Sequence, residues 1–132
     1  MSENYYITTP IYYVNAEPHI GHAYTTIVAD VLNRFHHLSG RKTLFLTGTD
    51  EHGDKIAAAA AACAESPKAY VDRISRMFRD LWPRLNISHN RFIRTTEADH
   101  QETVKYIINR VNERRDIYFS EYEGLYCFGC ER

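Results

Sequence analysis

The sequence predicts an α/β fold with a parallel sheet. Residues 5–9 and 42–47 are short, apolar, β-prone runs, and the stretch between them carries apolar residues at helical spacing. A strand, a helix and a second strand within about 45 residues make a βαβ unit, whose strands run parallel. The second run is bounded by Gly40 and Gly48, which is typical of a buried parallel strand. Residues 91–94 are the expected third strand.

Two long amphipathic helices follow the first and third strands. The first covers residues 19–38, and the second covers residues 98–113. On the first helix we expect a buried face made of Ile20, Ala23, Ile27, Val31, Leu32 and Phe35. On the second we expect a buried face made of Val104, Ile107, Ile108 and Val111.

Two further helices are expected between the second and third strands. An alanine-rich helix covers residues 54–65, with Cys63 as a small buried residue. Ser66 and Pro67 begin the next helix as its cap and first residue. Pro83 should end or kink that helix, because proline cannot donate a backbone hydrogen bond.

Composition places the chain among ordinary globular proteins. Its 132 residues suit one domain, and 44% of them are hydrophobic. No apolar run approaches the roughly 20 residues of a membrane-spanning helix, and MSENYYITT is not a secretory signal, so we expect a cytoplasmic protein with no membrane partner. The net charge of −1 provides no overall electrostatic attraction for nucleic acid.

Two histidines stand at the start of the first helix. His19 and His22 are three residues apart, so their side chains point the same way, and Gly21 between them has no side chain to block a ligand. A helix N-terminus offers unpaired N–H groups and a partial positive charge, so this arrangement suits phosphate oxygens. The alternative is that both histidines are ordinary polar residues at a helix start.

A second polar cluster, GTDEHG at residues 48–53, comes directly after the second strand. Ligands of open parallel sheets bind beyond the carboxyl ends of the strands, and residues 8–22 and 48–53 both fall there. We therefore expect a shared pocket; the alternative is a solvated turn that caps the next helix through Asp50 or Asp54. The chain has neither a G-x-G-x-x-G nor a P-loop pattern, so neither of these nucleotide motifs is indicated.

The last part of the chain carries Cys127-x-x-Cys130, within an aromatic stretch, residues 117–130, that we expect to form a hairpin. Two thiolates at this spacing are half of a tetrahedral zinc site, whose other half normally comes from a second short motif. No second pair is present in the sequence. A redox pair and incidental cysteines are the alternatives, although a redox pair usually opens a helix after a strand.

Several stretches in series resemble one family. The HIGH signature of residues 19–22 stands on a strand–loop–helix, where class I aminoacyl-tRNA synthetases carry theirs. The stretches YYITTPIYYVNAEPHIGHAYTTIVAD, FLTGTDEHG, FIRTT and DIYFSEYEGLYCFGCER then resemble, in order, the N-terminal part of methionyl-tRNA synthetases of the bacterial and organellar type. The resemblance implies the first half of a Rossmann-like catalytic domain in residues 1–115. It also implies the start of an inserted connective peptide, with a zinc knuckle, in residues 116–132.

The resemblance also implies roles for individual residues. His19 and His22 would contact the phosphates of ATP, and Gly21 would let the adenine lie against the helix. Asp50 would hold the amino group of methionine, while Ile11 and Tyr13 would shape the methionine pocket.

The same resemblance implies an activity and what it requires. The parent protein would be a methionine–tRNA ligase that uses L-methionine, ATP with Mg²⁺, and tRNA(Met), and Cys127 and Cys130 would bind Zn²⁺ together with a second pair. The family completes its site with a KMSKS half and an anticodon-binding domain, so we expect a fragment that is inactive without the C-terminal remainder. Two alternatives are another HIGH-motif nucleotidyltransferase and a non-catalytic nucleotide- or zinc-binding fragment.

Overall fold

The computed structural model describes residues 4–127, which form four strands and four helices. In chain order the elements are β1 (Asn4–Thr8), β2 (Tyr12–Tyr13), α1 (Ile20–Leu38), β3 (Lys42–Asp50), α2 (Asp54–Ala62), α3 (Pro67–Arg84), β4 (Arg91–Arg94) and α4 (Ala98–Glu113). The three predicted strands and four predicted helices are all present. The two-residue strand β2 was not predicted.

β3 is the central strand of the sheet. β1 pairs with residues 42–46 of β3, β2 pairs with residues 49–50, and β4 pairs with residues 46–49. Leu46 pairs with β1 and β4 at once, and Thr49 with β2 and β4 at once, so β1 and β2 share one edge of β3 and β4 occupies the other. Every pair is parallel, which confirms the α/β fold with a parallel sheet.

β3 runs to Asp50, whereas the sequence predicted its end at residue 47. The extra residues are held by backbone hydrogen bonds on both edges, since the Val14 N–H donates to the Asp50 carbonyl over 3.3 Å and the Thr95 N–H donates to the Thr49 carbonyl over 3.2 Å. The first half of the GTDEHG cluster is therefore part of the sheet. Only its second half is a loop.

The hydrophobic core lies between the sheet and α3. The helix begins as predicted, with the Ser66 hydroxyl accepting from the Ala69 N–H over 3.2 Å and with Pro67 in the first turn. Its buried apolar residues are Tyr70, Val71, Ile74, Phe78 and Trp82. Pro83 lies in the last turn, and the helix ends one residue later.

α1 buries a polar side, so the predicted apolar core face is wrong. The buried residues of this helix are Thr26, Ala29, Asp30 and Asn33. The predicted core residues Ile20, Val31 and Phe35 are instead 87%, 58% and 62% exposed. Ile27 and Leu32 are also exposed.

Hydrogen bonds explain why the polar side of α1 is buried. The Thr26 hydroxyl lies 2.7 Å from the hydroxyl of Tyr12, and the Asp30 carboxylate accepts from the Ser88 N–H over 3.0 Å and from Arg34 over 2.6 Å. A buried polar group costs little when it is paired in this way. The large apolar residues of α1 are consequently left on the outer surface.

Both ends of α2 differ from the prediction. Cys63 is the C-cap residue and is exposed, not buried. The N-cap residue is Gly53, and no side chain caps the helix. Neither Asp50 nor Asp54 therefore acts as the cap that the solvated-turn alternative required.

The chain divides into two compact units between Gln101 and Glu102. No residue of α4 is buried, so the buried face expected at Val104, Ile107, Ile108 and Val111 is wrong. Residues 117–127 form no strand, so the expected hairpin is absent from the part of residues 117–130 that the structure describes. Among the described residues of the second unit, Glu102 to Cys127, the rest of α4 is the only helix or strand present, and a lone helix has no second element of its own unit against which to bury a face.

Membrane insertion has no support from the described helices. Between residues 4 and 127, none of them combines the length and the apolar content that a membrane crossing needs.

Candidate functional site

β2 brings the two polar clusters to the same end of the sheet. Tyr13 lies opposite Asp50 in the parallel pairing, while the ring of Tyr12 lies 4.8 Å from the ring of His22. The segment before α1 and the last residues of β3 therefore lie side by side. They do so at the carboxyl ends of parallel strands, where such sheets bind ligands.

The two histidines cap the first turn of α1. His19 is the N-cap residue, and its Nδ1 accepts a hydrogen bond from the Gly21 N–H over 3.1 Å. The Nδ1 of His22 accepts in turn from the His19 N–H over 3.1 Å. This is a capping box made of imidazoles. It occupies two backbone N–H groups at the helix start, which we had expected to be open to a phosphate.

Both imidazoles keep one proton donor that the helix does not use. A ring nitrogen that accepts from a backbone N–H carries no proton, so the proton of each neutral ring lies on Nε2. The ring centroids of His19 and His22 are 3.8 Å apart. Burial, followed by the nearby His19, lowers the pKa of His22 and favours its neutral form near pH 7. The pair therefore offers two adjacent N–H donors.

Gly21 leaves room for the His19 ring in the cap. A Cβ at this position would lie 2.9 Å from Cε1 of the His19 ring, closer than van der Waals contact allows. A larger residue would push the ring away from the Gly21 N–H. The glycine is thus needed by the capping geometry itself.

Tyr12 contacts His22 and the first turns of α1. It is buried, and its hydroxyl bonds to the Thr26 hydroxyl, which donates to the His22 carbonyl over 2.8 Å. Its ring stacks on Phe78 at 5.7 Å, and the Phe78 ring lies 5.0 Å from the His22 ring. An aromatic cluster therefore fixes both the backbone and the ring of His22.

Asp50 ends β3 with its side chain half-buried. Within residues 4–127 its carboxylate takes part in no hydrogen bond or ion pair. Ile11, in the loop before β2, is 40% exposed. An unpaired, half-buried carboxylate at the end of β3 and an exposed apolar side chain just before the neighbouring strand β2 suit a ligand that carries both a cation and an apolar group.

Tyr13 connects the region of Asp50 and Ile11, the corner around Asp50, to the loop that follows β3. Its hydroxyl lies so close to Gly53 that a Cβ there would overlap it. Gly53 also has a φ of +133°, which other residues rarely adopt. Tyr13 and Gly53 therefore depend on each other for their positions.

Glu51 and Arg94 are functional candidates that the sequence did not reveal. Glu51 follows Asp50 and is 4% exposed, and its carboxylate forms two hydrogen bonds with the Arg94 guanidinium at the end of β4. Both lie in stretches that resemble the family, and Glu51 also lies in the GTDEHG cluster, but neither residue was assigned a role. The pairing of β3 with β4, which brings them together, is not visible in the local pattern.

The proposed metal ligands fall at the edge of the described chain. Cys127 is exposed, and Cys130 lies outside the described residues. Between residues 4 and 127 no three histidine, cysteine or acidic side chains come together as a metal site. Because only one cysteine of the Cys127–Cys130 pair is described, the structure provides no geometry for the metal.

Comparisons with known proteins identify one family. The family model described as class I tRNA synthetases (M) matches residues 5–132. The methionine–tRNA ligase of chloroplasts and mitochondria of Arabidopsis thaliana is 53% identical over 129 residues, and that of Thermotoga maritima is 48% identical over 127 residues. These matches cover 98% and 96% of this chain.

A solved structure is similar over nearly the whole chain. Methionyl-tRNA synthetase of Mycobacterium tuberculosis in complex with methionyl-adenylate is 48% identical, with a TM-score of 0.93 over 98% of this chain and 26% of that one. The chain spans about one fifth of the two curated relatives, 21% and 20% of their lengths. The family match nevertheless extends over almost every residue present. The chain therefore belongs to the methionyl-tRNA synthetase family of class I tRNA synthetases.

Proposed function

We propose that this chain supplies the N-terminal part of the catalytic domain of a methionine–tRNA ligase. In the first step the carboxylate of L-methionine attacks the α-phosphorus of ATP, giving methionyl-adenylate and releasing pyrophosphate. In the second step the methionyl group is transferred to the terminal adenosine of tRNA(Met), and AMP leaves. Support comes from the relative that was solved with methionyl-adenylate, the product of the first step.

The histidine pair binds phosphate in this proposal. His19 and His22 donate their Nε2–H groups to phosphate oxygens of ATP, which enters with Mg²⁺, and Gly21 leaves space for the adenine. Charge builds on the phosphoryl oxygens as the methionine carboxylate attacks, so fixed donors at this position stabilise the transition state more than the ground state. No side chain of the enzyme needs to form a covalent bond.

The corner around Asp50 binds methionine. The unpaired carboxylate of Asp50 receives the α-ammonium group, and Ile11 and Tyr13 contact the rest of the amino acid. The exposed, apolar Ile11 suits the thioether side chain. Ammonium and phosphate are thus bound by separate groups, which β2 holds next to each other.

The observation that carries the proposal is the imidazole capping box beside an unpaired carboxylate at the ends of parallel strands. The test is methionine-dependent ATP–pyrophosphate exchange by the full-length protein, meaning this segment together with the further length that its relatives have. Exchange with methionine and with no other amino acid is expected. Exchange that does not depend on an amino acid would favour another nucleotidyltransferase, and absence of ATP binding would favour a non-catalytic fragment.

We also propose a division into a nucleotide-fold part, residues 1–115, and the start of a connective peptide, residues 116–132. In this proposal Cys127 and Cys130 provide half of a zinc site, and a second pair in the remaining length completes it. The support is the Cys-x-x-Cys spacing alone.

Metal analysis and complementation test this division. The isolated chain should bind less than one zinc per molecule and should not charge tRNA. Addition of the C-terminal remainder in trans should restore both zinc and activity, and Cys127→Ser should then lower the zinc content. A reconstituted complex that is active without zinc would refute the metal assignment.

A further inference from the structure

A buried ion pair lies directly behind Asp50. Glu51 has no exposed side-chain surface, and Arg94 is 17% exposed. The Arg94 Nε donates to Glu51 Oε1 over 2.7 Å, and its Nη2 donates to Oε2 over 2.8 Å. This two-point geometry fixes the orientation of the carboxylate as well as its position.

Neighbouring hydroxyl groups also donate hydrogen bonds to the Glu51 carboxylate. Thr49 donates to Oε1 over 2.7 Å, and Thr96 donates to Oε2 over 2.5 Å. The Glu51 N–H donates to the Thr95 hydroxyl over 2.8 Å. Both the side chain and the backbone of Glu51 are therefore held by the segment that follows β4.

A third element holds the arginine. The Arg94 Nη2 also donates to Asp72 on α3 over 2.5 Å, and Asp72 is further paired with Lys68 one turn earlier. Burial by itself would raise the pKa of Glu51, but the hydrogen bonds from Arg94, Thr96 and Thr49 outweigh it, so the pKa lies below its usual value. The glutamate therefore stays ionised and paired at neutral pH.

Strand geometry connects this ion pair to Asp50. Side chains of successive residues in an extended strand point to opposite faces. Thr49 and Glu51 bond to each other and so lie on one side, which places Asp50, between them, on the other. A rotation of the chain at Glu51 would turn the Asp50 carboxylate with it.

We propose that Arg94 is a positioning residue for methionine, because it fixes Glu51 and thereby the direction of the Asp50 carboxylate. The inference rests on the proposed role of Asp50 as the receiver of the methionine ammonium. A buried ion pair adds little net stability compared with apolar residues, yet its hydrogen bonds require one particular geometry. Orientation of the Asp50 carboxylate is therefore a better explanation for the Glu51–Arg94 pair than a contribution to folding stability.

The first test is Arg94→Lys in the full-length protein. Lysine keeps the charge but cannot form both parallel hydrogen bonds with Glu51. The Kd for methionine, measured by calorimetry, should rise about tenfold, while the Kd for ATP should change by less than about twofold. The matched control is Arg91→Lys on the same strand, whose partners Glu97 and Asp99 lie at the surface, and it should change neither constant.

A double-mutant cycle separates positioning from a general structural role. If Arg94 acts through Asp50, then Arg94→Lys should add less than about a further twofold loss of methionine affinity in an Asp50→Asn background, because the directed group is already gone. A merely structural role would give losses that multiply. If Arg94→Lys does not fold, as judged by thermal unfolding, Thr96→Val takes its place, since it removes one donor from the same carboxylate.

The outcomes distinguish this inference from the proposed function. Equal loss of methionine and ATP affinity, no loss at all, or full additivity with Asp50→Asn would each overturn the positioning role while leaving methionine-dependent exchange intact. A wild-type protein without methionine-dependent exchange would overturn both. Selective loss of methionine affinity that disappears in the Asp50→Asn background would support the inference.

Discussion

Asparagine and glutamine at position 22 separate the two hydrogen-bonding roles of its imidazole. The Nδ1 of His22 accepts from the His19 N–H over 3.1 Å, and the remaining ring nitrogen is the proposed donor to phosphate. The amide oxygen of asparagine can take the place of Nδ1 but provides nothing at the Nε2 position. Glutamine is a usual residue at this position of a capping box, so its amide oxygen can accept from the His19 N–H while its amide nitrogen keeps an N–H donor.

The magnitudes follow from the roles that each variant removes or keeps. His22→Asn loses one preorganised donor to developing charge, which corresponds to about 10²–10³-fold in rate, or about 3–4 kcal/mol of transition-state stabilisation. His22→Gln keeps both a donor and an acceptor for the His19 N–H, so its folding stability should stay within about 1 kcal/mol of the wild type. We therefore expect both variants to be stable, with His22→Asn slow and His22→Gln faster than His22→Asn.

Two measurements on the full-length protein check this prediction. Methionine-dependent pyrophosphate exchange gives the rate, and urea unfolding gives the free energy of unfolding. Methionine affinity should be nearly unchanged in both variants, because the amino acid contacts another part of the site. An unaltered exchange rate for His22→Asn, or a His22→Gln variant as slow as His22→Asn, would refute the assignment of the donor to Nε2.

Three further predictions concern the corner around Asp50. Asp50→Ala should weaken methionine binding far more than ATP binding in calorimetric titrations, because it leaves a buried ammonium unpaired, and equal losses would contradict this. Gly53→Ala should lower the free energy of unfolding by about 1–3 kcal/mol, because its φ is +133° and the Tyr13 hydroxyl occupies the added space; a denaturation curve that matches the wild type would be the contrary result. The pKa of Glu51 is lower in the folded protein than in the unfolded chain. The folding stability that ionised Glu51 contributes is therefore fully present above the unfolded pKa, and it is lost as the pH falls through the folded pKa. Stability measured against pH should therefore fall below about pH 4.5, and Glu51→Gln should make the decline shallower.

The parallel βαβ arrangement was predictable because each strand and helix carries its own local signal. β4 and α4 have the predicted bounds, since both are periodic stretches with clear ends. β2 was missed because two residues carry no periodicity, and its strand conformation arises only from pairing with the end of β3. The same pairing extends β3 to Asp50, beyond its apolar run.

The apolar periodicity predicted that α1 is amphipathic, but it did not predict which of the two faces is buried. Its apolar residues recur at helical spacing, yet Thr26 and Asp30 face the interior because Tyr12 and Ser88 satisfy their hydrogen bonds. Those partners are distant in sequence, so no local rule reveals them. The same is true of Arg94 and Glu51, which are 43 residues apart.

The positions of His19 and His22 at a helix start followed from the sequence, but their use of the backbone did not. A capping box made of imidazoles depends on which ring nitrogen faces the helix, and spacing does not determine that. The unpaired state of the Asp50 carboxylate likewise depends on the whole arrangement of neighbouring chains. The sequence predicted which residues meet at this site, and the structure shows the atoms they have available.

The capping box also bears on how this corner responds to dissolved salt. Lysine and arginine attract phosphate through full charges, whose effect weakens as ionic strength rises, whereas an N–H dipole acts at contact and is screened little. Protonation at Nδ1 of His19 or His22 would turn an acceptor into a donor and break the bond to the backbone N–H. In the proposed role, this part of the protein would hold phosphate through N–H dipoles and not through full side-chain charges. The nucleotide affinity that it contributes should remain nearly constant between dilute buffer and concentrated electrolyte.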